Sequence, residues 1–246
     1  MKVEIFDDAT KLGAAAGKSA VEMISKTLSN QGYANIILAT GTSQFPVLEQ
    51  LTNSKEIDWS KVTMFHLDEY IGISSSHKAS FRKYLKERFI DKVGTLKNYY
   101  LIDGENNPFE ECKRLNQLIQ DVEIDVALVG IGENGHLAFN DPPADFNTKD
   151  PYIVVDLDEA CRKQQWGEGW FPTMDDVPTK AISMSIQQIM KSKQIICSVP
   201  DERKSDAVSN CLNGTISNMH PASILQSHKS CTIYLDKASA SKLNHS

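Results

Sequence analysis

Short apolar runs alternate with longer amphipathic stretches from one end of the chain to the other. Val3–Phe6, Asn35–Thr40, Val62–His66, Tyr99–Ile102, Asp125–Gly130, Ile153–Val155, Ala181–Ser185, Gln194–Val199 and Cys231–Leu235 read as strands. Most of these runs are continuous rather than alternating, the pattern of strands buried on both faces. Between them the spacing becomes helical. Leu12, Ala16, Ala20, Met23, Ile24 and Leu28 recur at three- and four-residue steps, which gives one apolar helix face. Phe81, Tyr84, Leu85, Arg88 and Phe89 mark a second helix. Pro108, followed by Phe109-Glu110-Glu111-Cys112, opens a third, with proline and carboxylates where a first turn favours them.

This alternation predicts βαβ units in a single α/β domain over residues 1–246, Rossmann-like, with a mainly parallel sheet and helices on both faces. The tail Ser239–Ser246 reads as frayed. The net charge of −6 argues against a nucleic-acid partner, because backbone binding needs clustered positive charge. No apolar run approaches the ~18 residues of a membrane span, and no signal-peptide core is evident at the N-terminus. Five cysteines, an odd number with no C-x-x-C pair, read as core residues of a reducing compartment. The expected location is the cytoplasm. The six histidines, His66, His77, His136, His220, His228 and His245, form no metal-binding motif, so neither metal nor cofactor is expected. A homo-oligomer remains open.

Ligands in open α/β sheets bind beyond the carboxyl ends of strands, so the loops there carry the functional argument. In Leu38-Ala39-Thr40-Gly41-Thr42-Ser43-Gln44-Phe45-Pro46 a strand runs into glycine and hydroxyl residues before a helix. Such a loop can receive an anion on backbone N–H groups and hydroxyls; the plain alternative is an N-cap by Thr42 or Ser43. It matches no dinucleotide or triphosphate motif. In Phe65-His66-Leu67-Asp68-Glu69-Tyr70 two acids follow a strand. A partly desolvated carboxylate suits general-base work. If the chain is extended there, Asp68 and Glu69 face opposite sides and cannot act as one dyad. In Gly130-Ile131-Gly132-Glu133-Asn134-Gly135-His136-Leu137-Ala138-Phe139-Asn140-Asp141-Pro142-Pro143, three glycines surround a lone histidine. Asn134 or Asp141 can orient its imidazole and set the tautomer. Trp166 and Trp170 offer either a sugar-stacking pair or core packing.

Together these three loops resemble the glucosamine-6-phosphate deaminase (isomerase) family, which is related to the 6-phosphogluconolactonases. Asp176-Val177-Pro178-Thr179-Lys180-Ala181-Ile182 and Pro221-Ala222-Ser223-Ile224-Leu225 add landmarks in the same order, so the resemblance spans nearly the whole chain. It implies an enzyme whose partner is a small-molecule sugar phosphate. Such an enzyme opens the pyranose ring of glucosamine 6-phosphate, moves a proton between C2 and C1, and releases ammonia and fructose 6-phosphate. By resemblance Asp68 is the proton-shuttling base, His136 the ring-opening histidine and Asp141 the acid that orients it. Gly41, Thr42 and Ser43 form the phosphate-side loop, Lys204 is a phosphate-contacting lysine, and Arg162 stands for the phosphate arginine.

The chain also departs from the family pattern. Asn134 stands where an aspartate is usual and Asp141 where a glutamate is. Gln164-Gln165-Trp166-Gly167-Glu168-Gly169-Trp170-Phe171 does not match the usual Arg-Phe-Phe run. Other readings are therefore galactosamine 6-phosphate as substrate, 6-phosphogluconolactone hydrolysis, and a non-catalytic sugar-phosphate sensor.

Overall fold

The computed structural model describes residues 1–244. In chain order its elements are β1 (Lys2–Phe6), α1 (Ala9–Gln31), β2 (Ala34–Leu38), α2 (Phe45–Asn53), β3 (Val62–His66), β4 (Asp68–Tyr70), α3 (Phe81–Leu85), α4 (Asp91–Val93), β5 (Asn98–Tyr100), α5 (Pro108–Ile119), β6 (Val126–Val129), β7 (Tyr152–Asp156), α6 (Glu159–Gly167), β8 (Lys180–Met184), α7 (Ile186–Met190), β9 (Gln194–Val199), α8 (Ser205–Asn213) and β10 (Cys231–Asp236). Seven strands make a parallel sheet in the order β1-β10-β9-β6-β2-β3-β5. The remaining three, β4-β8-β7, make a separate antiparallel sheet. All nine expected segments are strands, but Ile153–Val155 and Ala181–Ser185 contribute to the smaller sheet. Asp68–Tyr70, read from the sequence as a loop, is a short strand as well.

The continuous apolar runs are explained by the burial of both faces. Ile36, Leu38, Val126 and Leu128 belong to one apolar cluster with the α1 residues Leu12, Ala16 and Ile24. Ile37, Ala127 and Val129 belong to the other, as alternation along a strand requires. This second cluster also holds Tyr152, Ile182 and Met184 of the antiparallel sheet, so the two sheets share a core. The ends of α1 follow its sequence. Asp8 caps the first turn by accepting from the Lys11 N–H at 2.8 Å, and Gly32, at φ 80°, closes the last. The second expected helix is segmented, with a π turn over Lys86–Ile90 between α3 and α4.

The tail is not frayed where it is described. Ser239 N–H donates to Asp236 at 2.7 Å and Lys242 pairs with Asp206 at 2.7 Å. His245 and Ser246 lie outside the described residues. No described helix is long and apolar enough to cross a membrane.

The sheet order positions the site. From β2 the chain continues to β3 and β5 on one side, whereas β6, β9 and β10 fill the other. Loops leaving neighbouring strands at such a switch point part from each other and leave a crevice between them.

Candidate active site

A cleft of about 210 Å³ lies in that crevice. The β2 loop contributes Gly41, Thr42 and Ser43, and Asp68 follows β3. Gly132 and His136 come from the β6 loop, Arg203 and Lys204 from the β9 loop, Gln164 and Gln165 from α6, and Glu168 from the residue that caps its C-terminus.

Asp68 and Glu69 are separated by the strand that carries them. β4 pairs antiparallel with β8, Asp68 opposite Ser183 and Glu69 opposite Ile182, so successive side chains point to opposite faces. The Glu69 carboxylate is consumed by structure. It accepts from the Tyr70, Phe81 and Arg82 N–H groups and from the Ser80 hydroxyl, at 2.8–3.1 Å. Asp68 lines the cleft, and its Oδ1 is buried without a hydrogen-bond partner among the described residues. Burial, followed by the neighbouring Glu69 charge, pushes its pKa up to about 8. A carboxylate so poorly solvated is a strong base once ionised.

The imidazole of His136 is held from behind. Its Nδ1 lies 2.8 Å from Asp141 Oδ1, which leaves Nε2 as the free ring nitrogen. The expectation that Asp141 or Asn134 orients the ring resolves in favour of Asp141, whose shorter side chain does reach. Asn134 touches only the backbone N–H of His136, at 3.1 Å, and its amide donates to Asp141 at 2.9 Å and to Asp158 at 3.0 Å. Burial raises the Asp141 carboxyl, but His136, Asn134 and the Asp158 N–H outweigh it and hold the group below its ordinary value. Gly132 is where the loop needs glycine, since a Cβ there would sit 2.2 Å from His136 Nε2. Asn140 pins the far end of the loop, donating to the Leu137 and Met184 carbonyls at 2.7 and 2.8 Å.

On the opposite wall Gly41 takes φ 100°, and its carbonyl accepts from the Tyr84 hydroxyl at 2.8 Å. Neither Thr42 nor Ser43 makes a side-chain cap, so their hydroxyls are not committed to the helix that follows. Lys204 is 7% exposed. Burial lowers its pKa, with the Glu168 and Glu133 carboxylates opposing. Its ammonium forms no hydrogen bond or ion pair among the described residues, so a cation faces the cleft without a permanent counter-ion.

Residues 7–234 match the family model of glucosamine-6-phosphate isomerases/6-phosphogluconolactonase. A glucosamine-6-phosphate deaminase of Lacticaseibacillus paracasei is 36% identical over 99% of both chains. One from Clostridium acetobutylicum is 37% identical, covering 99% of this chain and all of its own. The solved structure of a monomeric glucosamine-6-phosphate deaminase is 31% identical and superposes with a TM-score of 0.88, covering 98% of this chain and 100% of that one. The chain belongs to the glucosamine-6-phosphate isomerase/6-phosphogluconolactonase family. A 6-phosphogluconolactonase of Thermotoga maritima, 17% identical with a TM-score of 0.78 over 96% of this chain and 98% of its own, shares the fold.

The segment that departs from the glucosamine-6-phosphate isomerase pattern lies at the end of α6. Gln164 accepts from the Glu133 N–H at 2.9 Å and donates to Glu168 at 2.9 Å. Gln165 accepts from the buried Tyr70 hydroxyl at 2.6 Å. Trp170 donates to Glu168 at 3.1 Å, and Trp166 is largely exposed; neither ring lines the cleft. Arg162 requires correction as a phosphate contact. Its guanidinium donates to the Met174 and Val177 carbonyls at 3.0–3.2 Å, tying down the loop after α6. Position 162 lies roughly 200° around the helix axis from 164, so the two side chains leave α6 on different sides. The arginine that does line the cleft is Arg203, held by Asp201 at 2.9 Å and by Glu133 at 3.3 Å. Its adjacency to Lys204 was the available signal.

His136, Asp141 and Cys161 bring three ligand-type atoms within 4.8 Å. They do not fit a metal. The Nδ1–Oδ1 separation of 2.8 Å is a closed hydrogen bond, and burial drives the Cys161 pKa well above its ordinary value, keeping it a thiol.

Proposed function

We propose that the protein converts glucosamine 6-phosphate and water to fructose 6-phosphate and ammonia. The observation that carries this reading is the convergence of Asp68, His136 and Lys204 on one cleft. Imidazole Nε2 moves the proton that opens the pyranose ring. Asp68 takes the proton from C2 of the open aldehyde, forming an enolamine, and returns it to C1. The resulting ketimine at C2 adds water and expels ammonia. The phosphate, held by Lys204 and the Gly41-Thr42-Ser43 loop, supplies binding energy remote from the reacting carbons. Relatives named glucosamine-6-phosphate deaminase, 36% and 37% identical over nearly the full chain, support this choice over lactone hydrolysis. A cytoplasmic location accords with five free, buried cysteines.

The test is an end-point assay with glucosamine 6-phosphate, galactosamine 6-phosphate and 6-phosphogluconolactone, reading ammonia and ketose separately. Equal amounts of ammonia and fructose 6-phosphate are expected from the first. Lactone hydrolysis without ammonia from either amino sugar sinks the proposal. Within the same reading, Lys204→Met is expected to raise KM about 10- to 100-fold, in line with the ~1.5–3 kcal/mol of a charged hydrogen bond. Its thermal midpoint should not fall, because a buried, unpaired charge is removed. An unchanged KM overturns the phosphate role of Lys204.

A further inference from the structure

We propose that Asp158 is a positioning residue for His136, acting through Asn134 and Asp141. The proposal rests on the reading of His136 as the ring-opening imidazole.

The amide of Asn134 lies between two carboxylates. One N–H donates to Asp141 Oδ1 at 2.9 Å and the other to Asp158 Oδ2 at 3.0 Å, while its oxygen accepts the His136 N–H at 3.1 Å. Flipping the amide would set its oxygen against both acids, so the neighbours dictate the orientation. Asp158 acts on Asp141 by a second route, since its backbone N–H donates to Asp141 Oδ2 at 2.9 Å. Its remaining oxygen accepts the Cys161 N–H at 2.6 Å and caps α6. Asp141 Oδ1 is thereby held 2.8 Å from Nδ1, and Nε2 stays toward the cleft. The ionisable groups packed around this cluster are His136, Asp141, Asp158 and the Cys161 thiol.

The arrangement explains why an asparagine is suited to position 134 in this chain. An aspartate there would face Asp141 and Asp158 with oxygen against oxygen. Charge at position 158 and an amide at position 134 form one complementary pair.

The variants Asp158→Asn and Asp158→Ser both keep a residue able to cap a helix, so they separate capping from positioning. The asparagine would turn an N–H toward the Asn134 amide, and the serine is too short to meet it. Each is expected to lower kcat about tenfold or more with KM within about twofold, the signature of a group that acts in the transition state. Asn134→Asp is expected to lose about 100-fold, the upper range for an outer partner of an active group. The double variant Asn134→Asp/Asp158→Asn should be at least about tenfold more active than Asn134→Asp alone, because the amide introduced at position 158 can then donate to the carboxylate introduced at position 134.

A readout in the substrate-free protein makes the test independent of the reaction. In protein labelled with ¹⁵N-histidine, the His136 Nδ1–H proton should be strongly deshielded and slow to exchange. It should be lost from both Asp158 variants and retained when Lys204 is replaced by Met. If the wild type turns over no amino-sugar phosphate, the proposed function fails and this resonance alone decides the positioning role. An unchanged kcat and resonance in Asp158→Ser overturns the proposal, as does a double variant whose loss is simply the product of the single losses.

Discussion

Asp68→Asn is expected to cut turnover about 10²–10⁴-fold and, at the same pH, to stabilise the fold. The two effects have one origin. The Asp68 carboxyl is buried, lacks a donor at Oδ1, and sits beside Glu69, so it ionises only near pH 8. Unfolded, it would ionise near 3.8. Between these values the unfolded chain has released a proton that the folded protein still holds. Stability therefore falls as the pH rises from about 4 to 8 and levels off above it, by roughly 1.4 kcal/mol per pH unit at the steepest. Asparagine cannot ionise, so it removes that slope. Urea melts at pH 5 and pH 8.5 should show the wild type losing several kcal/mol more than the variant; parallel losses would contradict the assignment. Loss of a positioned base lowers kcat about 10²–10⁴-fold. The same group sets an acid limb in kcat/KM, which should fall as the pH drops below about 8. In the complex the substrate ammonium favours the carboxylate, so the limb in kcat should lie at lower pH.

Gly132→Ala should be as severe, for a steric reason. A methyl at this position would lie 2.2, 2.3 and 2.4 Å from Nε2, Cδ2 and Cε1 of His136. Three ring atoms are blocked at once, so no small adjustment suffices and the imidazole must leave its place beside Asp141. The expected loss in kcat is again about 10²–10⁴-fold, with a stability cost of about 1–3 kcal/mol for overpacking. The decisive comparison is with His136→Ala. If the methyl acts by evicting the ring, adding Gly132→Ala to His136→Ala should cost little more activity. Full multiplication of the two losses would mean that Gly132 acts through something other than the ring.

The contrast between these residues and Arg162 shows which parts of the site were legible in the sequence. Asp68, His136 and the Gly41–Ser43 loop follow strands directly, and a strand end fixes where the next few residues go. Arg162 and Gln164 sit on one helix, and its rotation decides which of them meets the cleft. The surroundings that set this rotation, such as the Tyr70 hydroxyl on Gln165, come from distant parts of the chain. β4 was missed for a related reason. Three residues containing two acids carry no strand pattern, and the pairing that makes them a strand comes from Ala181–Ser183, far along the chain. Asn134 illustrates the limit most clearly. Its side chain lay within reach of the imidazole on paper, yet its work is to bridge Asp141 and Asp158, acids separated by 17 residues. Over the described residues the frayed-tail expectation failed, because Ser239, Lys242 and Asn244 donate to Asp236, Asp206 and Asn213.

The order of strands also sets a timetable for assembly. β1, the first of the described strands in chain order, pairs in parallel with β10 and with no other described strand. β10 in turn needs β9, and β9 delivers Lys204 to the cleft. A nascent chain therefore leaves β1 unpaired, and its cleft without Lys204, until β9 and β10 have been made. The cation of the cleft and the strand that closes the sheet over β1 thus come from one neighbouring stretch of chain, β9 to β10.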